Sequence, residues 1–324
     1  MPDGAVRLVI VIINYQTAQL VIQCLGSLRD ELLQENCRVI VVDNCSSDGS
    51  PGQIQKWIEE HDSLRLIDIL ESPSNTGFAG GNNLGIQAID ADFYLLLNSD
   101  TIVRPGTISK MMATAEAHPE AGIIGPRLEW LDGTPQESCF RYLTPLSELI
   151  GAAQTGPVTA ILKKYVVPIA LGGTAVEPEW MSFACALLRR DMIDEIGLLD
   201  EGFFMYFEDV EYCHRARDAG WRLVHNPDAR VVHLRGGSSP VKRQILERRR
   251  LPQYYYASRT RYFYLVYGWW GLTLANLLWQ VGRIVSKSRE LVERRQRGVP
   301  ERSWIDIWTN WRHPATAWSD GKGG

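Results

Sequence analysis

Carboxylates and amides recur in this chain directly after apolar runs, where a parallel sheet delivers side chains to a ligand. Asp43 closes the run in CRVIVVDNCSSDGS. A carboxylate there can accept from a base N–H or a ribose hydroxyl, and it can equally start a turn and cap a helix. Asn98-Ser99-Asp100 stops the run FYLLL. A carboxylate so placed suits Mg²⁺ or Mn²⁺, which take oxygen ligands from one or two carboxylates and from phosphates, although Thr101 and Pro105 also fit a simple cap. NTGFAGGNN, with Gly77, Gly80 and Gly81, permits close backbone approach and opens a helix whose N–H groups could face an anion. It lacks the GK[ST] of a P-loop and the GxGxxG of a dinucleotide site.

The densest cluster is DEGFFMYFEDVEYCHRARDAGW. Glu208 and Asp209 open a helix whose dipole favours ionised Asp209, the form a general base needs. An acidic helix start with salt bridges reads the same way. Arg215 lies within reach of a carboxylate or phosphate. Phe203, Phe204, Tyr206 and Phe207 could wall a site or fill a core. His233 ends ARVVH before Arg235-Gly236-Gly237-Ser238 and is either a metal ligand or a hydrogen-bonded surface residue.

The elements that position these residues alternate. LVIVIINY, CRVIVVDN, LRLIDIL and FYLLLNSD read as buried strands. Between them lie helices at 17–28 (Leu20, Cys24 and Leu28 inward), after DGSP (Ile54, Trp57 and Ile58 inward) and at GNNLGIQAID. Such alternation predicts a doubly wound α/β sheet that binds ligands beyond the carboxyl ends of its strands. Further on, 107–117 reads as a helix and GIIGPRLEW as a strand. Residues 139–178 read as loops with a short helix. WMSFACALLRR reads as a strand, DMIDEIG and 209–219 as helices, and LVHNPDARVVHL as a strand pair.

Composition sets bounds. The chain has 324 residues and a net charge of −4, so bulk electrostatics does not make it a nucleic-acid binder. Six cysteines without a CxxC pair read as reduced thiols in the cytoplasm. The apolar run 8–13 is too short for a signal peptide. Residues 242–302 are rich in Lys and Arg, whereas the body is acidic.

In order, VIINY, VVDNCSSDGS, NTGFAGGNNLGI, YLLLNSDT and the block from Asp200 to His233 resemble the family 2 inverting glycosyltransferases, in particular the bacterial rhamnosyltransferase-like branch. The resemblance implies a GT-A fold over 1–240, with a nucleotide-sugar half at about 1–105 and an acceptor half at about 106–240. It implies that Asn14, Asp43, Asn75, Gly77, Asn83, Asn98 and Asp100 line the donor site, with Asp43 binding the base. Asp100 matches the last residue of a DxD-type metal motif, and His233 a late metal ligand. Asp209, beside Glu208, matches the catalytic base. Asn98 stands where the first acid of DxD is usual, so the metal would depend more on Asp100 and the donor phosphates. Phe183 stands where glycine is common. The implied donor is dTDP-rhamnose or another nucleotide diphosphate sugar such as a UDP-sugar. The implied acceptor is a glycan or lipid-linked hydroxyl of the bacterial cell surface.

A sugar-1-phosphate nucleotidyltransferase should carry a basic, Gly-rich loop after the first strand, where this chain has NYQTAQ. A non-catalytic scaffold would not need Asp100 and Asp209 intact. The remaining 241–324 reads as a basic, aromatic helical tail. Residues 262–282 carry no charge, and an interfacial helix peripheral to the inner membrane fits them best. Packing against the enzyme or in a homo-oligomer, and a true membrane span, are the other options.

Overall fold

The computed structural model describes residues 6–32, 36–170, 177–234, 241–293 and 299–318. Its elements in order are β1 (Leu8–Asn14), α1 (Ala18–Leu32), β2 (Cys37–Asp43), α2 (Ser50–His61), β3 (Ile67–Glu71), α3 (Gly77–Ala88), β4 (Phe93–Asn98), β5 (Thr101–Val103), α4 (Thr107–Ala117) and β6 (Ala121–Glu129). There follow β7 (Cys139–Phe140), α5 (Pro145–Ala153), α6 (Gly156–Ile161), β8 (Trp180–Met181), β9 (Cys185–Arg189), α7 (Arg190–Ile196), α8 (Glu208–Asp218), β10 (Arg222–His233), α9 (Val241–Glu247), α10 (Gln253–Glu293) and α11 (Ser303–Asp306).

Eight strands form one mixed sheet in the order β3-β2-β1-β4-β9-β6-β10-β5, and β7 pairs with β8 apart from it. β1 is buried because it is apolar on both faces. Leu8, Ile10 and Ile12 pack with α1, α2 and α4, while Val9 and Val11 pack with α3, α7 and α8. Each such side chain contributes roughly 1.5–3 kcal/mol by leaving water. α1 turns Val21, Cys24, Leu25 and Leu28 inward and leaves Leu20 half-buried, a face rotated slightly from the expected one.

The second half departs from a simple doubly wound sheet. β9 runs antiparallel between β4 and β6. The run from Trp180 is two strands, because Ser182, Phe183 and Ala184 interrupt it. Residues 222–233 form one strand rather than a pair. A register shift between Asn226 and Arg230 accommodates Asn-Pro-Asp within it. The stretch expected to be loops supplies β7, α5 and α6 as well.

The tail reverses direction. α10 breaks at Gly268, where φ is 66°, and Arg259 Nη1 lies 2.7 Å from Asn276 Oδ1. Those residues would be roughly 25 Å apart on a straight helix, so the two halves form an αα-hairpin. Tyr262 and Phe263 are fully buried with Phe203, Phe207 and Val210. Arg259 also clamps Glu148 of α5, at 2.7 and 3.1 Å. A membrane span over 262–282 is thereby overturned: the hairpin turn divides it, and no helix among the described residues is long and apolar enough to cross a bilayer. The first half of this stretch packs internally.

Gly85 lets α3 lie on β1. A Cβ there would meet Val11 Cγ1 at 2.3 Å, and β-branched Val11 is fully buried and cannot swing aside. Gly85→Ala should destabilise the fold by about 1–3 kcal/mol, read as a lower denaturant midpoint. Adding Val11→Ala should recover part of the loss. An unchanged midpoint in the single variant would disprove the close packing.

Candidate active site

Parallel registers bring the polar strand ends level. Asn14 of β1 is paired with Asp43 of β2, Asp43 with Glu71 of β3, and Asn98 of β4 with Ile13. The chain turns after Asn98, and β5 returns antiparallel to the end of β10, pairing Thr101 with His233. Leu234 N–H donates to the Asp100 carbonyl at 2.9 Å, which fixes the two segments together. Asp100 and His233 therefore meet, with Nε2 of the imidazole 3.4 Å from Oδ1 of the carboxylate. Both are almost wholly buried, yet both line a cavity of about 460 Å³ at this edge.

Glu208 and Asp209 line the same cavity, as do Asn75, Gly77 and Asn98. The backbone N–H of Val210 donates to Asp209 Oδ1 at 2.8 Å. Burial raises the Asp209 pKa to about 6, against the lowering pull of N–H groups from Val210 and Phe183. The expected dipole effect is present but loses to desolvation. Burial first, and then the Asp209 charge beside it, hold Glu208 well above the usual carboxylate range. Glu208 Oε2 has no hydrogen-bond partner among the described residues.

The loop before α8 is held from two sides. Tyr206 and Phe207 are consecutive non-glycine residues in the left-handed region, with φ of 71° and 69°. Such conformations persist only where surrounding contacts enforce them. Phe78 N–H donates to the Phe204 carbonyl at 2.7 Å. Gly77 beside it has φ of 70°, and a Cβ there would sit 2.0 Å from that same oxygen. From the tail, Arg261 grips Asp200 at 2.8 and 2.9 Å, and Ser258 Oγ donates to the Met205 carbonyl at 3.1 Å. Phe204 and Tyr206 wall the cavity, while Phe203 and Phe207 go to the core.

Three expected donor residues do not line the cavity. Asp43 lies behind it, accepting from Asn14 Nδ2 at 2.6 Å and from Ser46 N–H at 2.9 Å. Asn14 also donates to Ser50 Oγ, and its side-chain Oδ1 accepts from Thr17 N–H at 3.1 Å. Asn83 clamps the turn that leads into the loop before α8 through Leu199 and Glu201, at 2.9–3.1 Å. Two of the Gly-loop amides are already engaged at the helix start. Gly77 N–H donates to Asn75 Oδ1, and Phe78 N–H is taken by Phe204. Arg215 is spent on Glu211 and on the Ile196 and Leu198 carbonyls. Residues 235–238, expected as a loop beside His233, lie outside the described residues.

Several lining residues escaped sequence reading: Tyr15, Asn44, Ser182, Met205 and Tyr254. Asn44 adjoins Asp43 and binds Thr76 and the Gly77 carbonyl, so its place in VVDN was a usable signal. Tyr254 comes from the tail and carried none.

Asp100 and His233 are the two side chains placed to hold a divalent cation, with Asn98 beside the same cavity. Among the described residues no three His, Cys, Asp or Glu side chains gather as a metal cage. That set fits an ion completed by substrate phosphates and water, the usual habit of Mg²⁺, and does not fit a protein-only site.

The mixed α/β sheet with its helices is shared with solved glycosyltransferases. A mannosyltransferase from Pyrobaculum calidifontis, solved with GDP-Man and Mn²⁺, superposes with a TM-score of 0.54 at 15% identity, covering 97% of this chain and 87% of that one. Staphylococcus aureus TarS 1–349 superposes with a TM-score of 0.51 at 14% identity, covering 95% and 81%. The fold is that of a GT-A glycosyltransferase. Residues 9–141 match the model of Glycosyl transferase family 2. The N-acetylglucosaminyl-diphospho-decaprenol L-rhamnosyltransferase of Mycobacterium tuberculosis is 30% identical over 217 residues, covering 62% of this chain and 67% of that protein. The low-salt glycan biosynthesis hexosyltransferase Agl10 of Haloferax volcanii is 29% identical over 189 residues, covering 55% and 52%. The chain belongs to glycosyltransferase family 2, and it is a glycosyltransferase.

If Asp209 is the base, its pKa, raised to about 6, leaves it charged above that value and protonated below it. Transfer should therefore fall as pH drops through about 6, read as kcat/KM against pH. Asp209→Asn should lose roughly 10²–10⁴-fold in transfer and keep nucleotide binding. Because the native state holds the Asp209 proton more tightly than the unfolded chain, wild-type stability declines as pH rises from the ordinary carboxylate range to about 6. The Asn variant escapes that decline and should be more stable at pH 7, by on the order of 1 kcal/mol. An active variant would exclude Asp209 as the base, and a less stable one would exclude the raised pKa.

Proposed function

We propose that this chain is a metal-dependent inverting glycosyltransferase. It moves a sugar, rhamnose on the strength of the mycobacterial relative, from a nucleotide diphosphate to an acceptor hydroxyl in cell-surface polysaccharide or glycolipid synthesis. One observation carries the reading: Asp100 with His233, and Glu208 with Asp209, line a single cavity although they come from distant segments. The donor would be dTDP-rhamnose or a UDP-sugar. The relative's name specifies a diphospho-decaprenol carrier, and a lipid-linked acceptor is the corresponding choice here.

Asp100 and His233 would hold Mg²⁺ or Mn²⁺, and such an ion offsets charge on a departing diphosphate. Asp209 removes the proton of the acceptor hydroxyl as its oxygen bonds to the anomeric carbon. The bond from that carbon to the phosphate oxygen breaks on the opposite face, so configuration inverts. Glu208, whose carboxyl burial and the neighbouring Asp209 charge shift toward the protonated form, faces the same cavity and is placed to hydrogen-bond a sugar or acceptor oxygen. Phe183, Phe204 and Tyr206 exclude water and orient the ring, and orientation supplies much of the rate. Asn14, Asp43 and Asn83 act through the loops they brace.

A screen of nucleotide sugars for acceptor-independent hydrolysis tests the reading. One donor should be hydrolysed with Mn²⁺ or Mg²⁺, and chelation should abolish the signal. Asp100→Ala should lower it by about 10²-fold or more and weaken metal-dependent binding of the nucleoside diphosphate. Turnover unaffected by chelation, or Asp100→Ala as active as wild type, would refute the metal role. Failure to bind any nucleoside diphosphate would refute the function.

A further inference from the structure

The second half of α10 carries two faces. One packs on α5, through the close approach of Gly282 to Leu149 and Ala152. The other bears Trp270, Leu274, Leu277, Val281, Ile284 and Leu291, all exposed, with Trp270 at 88% and Ile284 at 65%. At 100° per residue these side chains, with the half-buried Leu278 and Val285, cover an apolar arc of about 140°. A stripe that wide and solvent-facing on a well-packed enzyme marks a contact surface.

The charges around it identify the partner. Lys287 and Arg289 flank the arc, about 100° to either side of Trp270. Across 269–291 the one acid is Glu290, and Arg283 takes it at 2.7 and 3.3 Å. No acid faces outward with the arc. Gln280, at its margin, donates to the Trp304 carbonyl at 2.6 Å, which brings exposed Trp304 and Ile305 of α11 alongside. Cations on both margins, exposed tryptophans and an apolar centre suit a helix lying in a bilayer interface, with long basic side chains reaching to anionic headgroups. Against a second copy of this chain, the 3-4 spacing of the stripe is broken by Ser288, and the flanking positions repeat the same positive sign.

We infer that the exposed face of residues 270–291, with Trp304 and Ile305, is a docking surface for an anionic lipid membrane. The stretch expected from sequence, 262–282, is displaced: its first part fills the core, and the membrane face begins after the hairpin turn. This goes beyond the proposed reaction and does not require it.

The test uses the full chain with phosphatidylcholine vesicles, with and without phosphatidylglycerol. Wild type should sediment with the anionic vesicles and be released by salt. Leu277→Glu/Ile284→Glu, altering exposed side chains only, should weaken binding by about tenfold or more while retaining donor hydrolysis. Lys287→Glu, with the apolar arc intact, should weaken binding chiefly at low salt. Wild type that ignores anionic vesicles, or a double variant that still binds them, overturns the inference. So does a dimer in light scattering that the double variant dissociates without any vesicle binding, which assigns the face to a second copy. Absence of donor hydrolysis in wild type counts against the proposed reaction and leaves the vesicle result standing.

Discussion

The hydrogen bond from Phe78 N–H to the Phe204 carbonyl, 2.7 Å long and made across Gly77, is the constraint on which the site depends. Phe78 opens the helix after β3, on the nucleotide-sugar side expected from sequence. Phe204 belongs to the loop that aims Glu208 and Asp209. Asn44 holds Thr76 and Gly77 from the other direction, so both ends of the cavity refer to one short backbone segment. Glycine is required because any side chain would occupy the space of the accepting oxygen. The loop's consumed amides follow: Gly77 N–H fixes its own turn through Asn75, and Phe78 N–H, which could have met an anion, ties the start of α3 to the loop before α8. A positioning error of about 1 Å between such groups can cost a reaction roughly 10²-fold, so spending two amides on rigidity is a sensible exchange.

Burial then sets the chemistry. Asp209 and Glu208 sit side by side at the start of α8, where the dipole favours anions, and desolvation still dominates both. An aspartate with a pKa raised to about 6 is more basic than an exposed one and remains ionised at neutral pH, the state that the proposed proton removal needs. The cost is a strained, charged, water-poor corner. Two left-handed residues precede the helix, and the tail supplies the contacts that keep them there: Arg261 on Asp200, Ser258 on Met205, and Tyr255 and Tyr262 against Phe207. The tail is thus part of the site's support, and Tyr254 reaches the cavity itself.

Much of this was legible in the sequence, for identifiable reasons. Apolar runs such as 8–13 specify buried strands, and polar residues that end parallel strands fall on one edge, so Asp100 and His233 could be singled out, while Asp209 was marked by the acidic start of α8. Strand direction was less visible: CALLR reads the same parallel or antiparallel, and only the chain path makes β9 run against β4. Asn14, Asp43 and Asn83 show the limit for single residues. Asn14 and Asp43 end strands and Asn83 lies within α3, and in the structure each makes hydrogen bonds that brace neighbouring segments. The Asp209 shift was misjudged because a helix start is visible in sequence, whereas the burial that outweighs it arises only in the folded structure.

The break at Gly268 allows the tail to serve two environments. A continuous helix from 253 to 293 would run roughly 60 Å and could not place both Arg259 and Gly282 against α5. Folding it back puts the aromatic half against the loop before α8 and lays the second half beside it, with one face on α5 and the other outward. The outward face is apolar for about four turns, beyond anything needed to close the core, since Leu272 and Ala275 on the opposite side already do that. Buttressing therefore explains residues 253–267 and leaves 270–291 unexplained. Six large apolar side chains held in water by an otherwise economical hairpin call for a surface outside the molecule, and the positive margins of the stripe give that surface its sign.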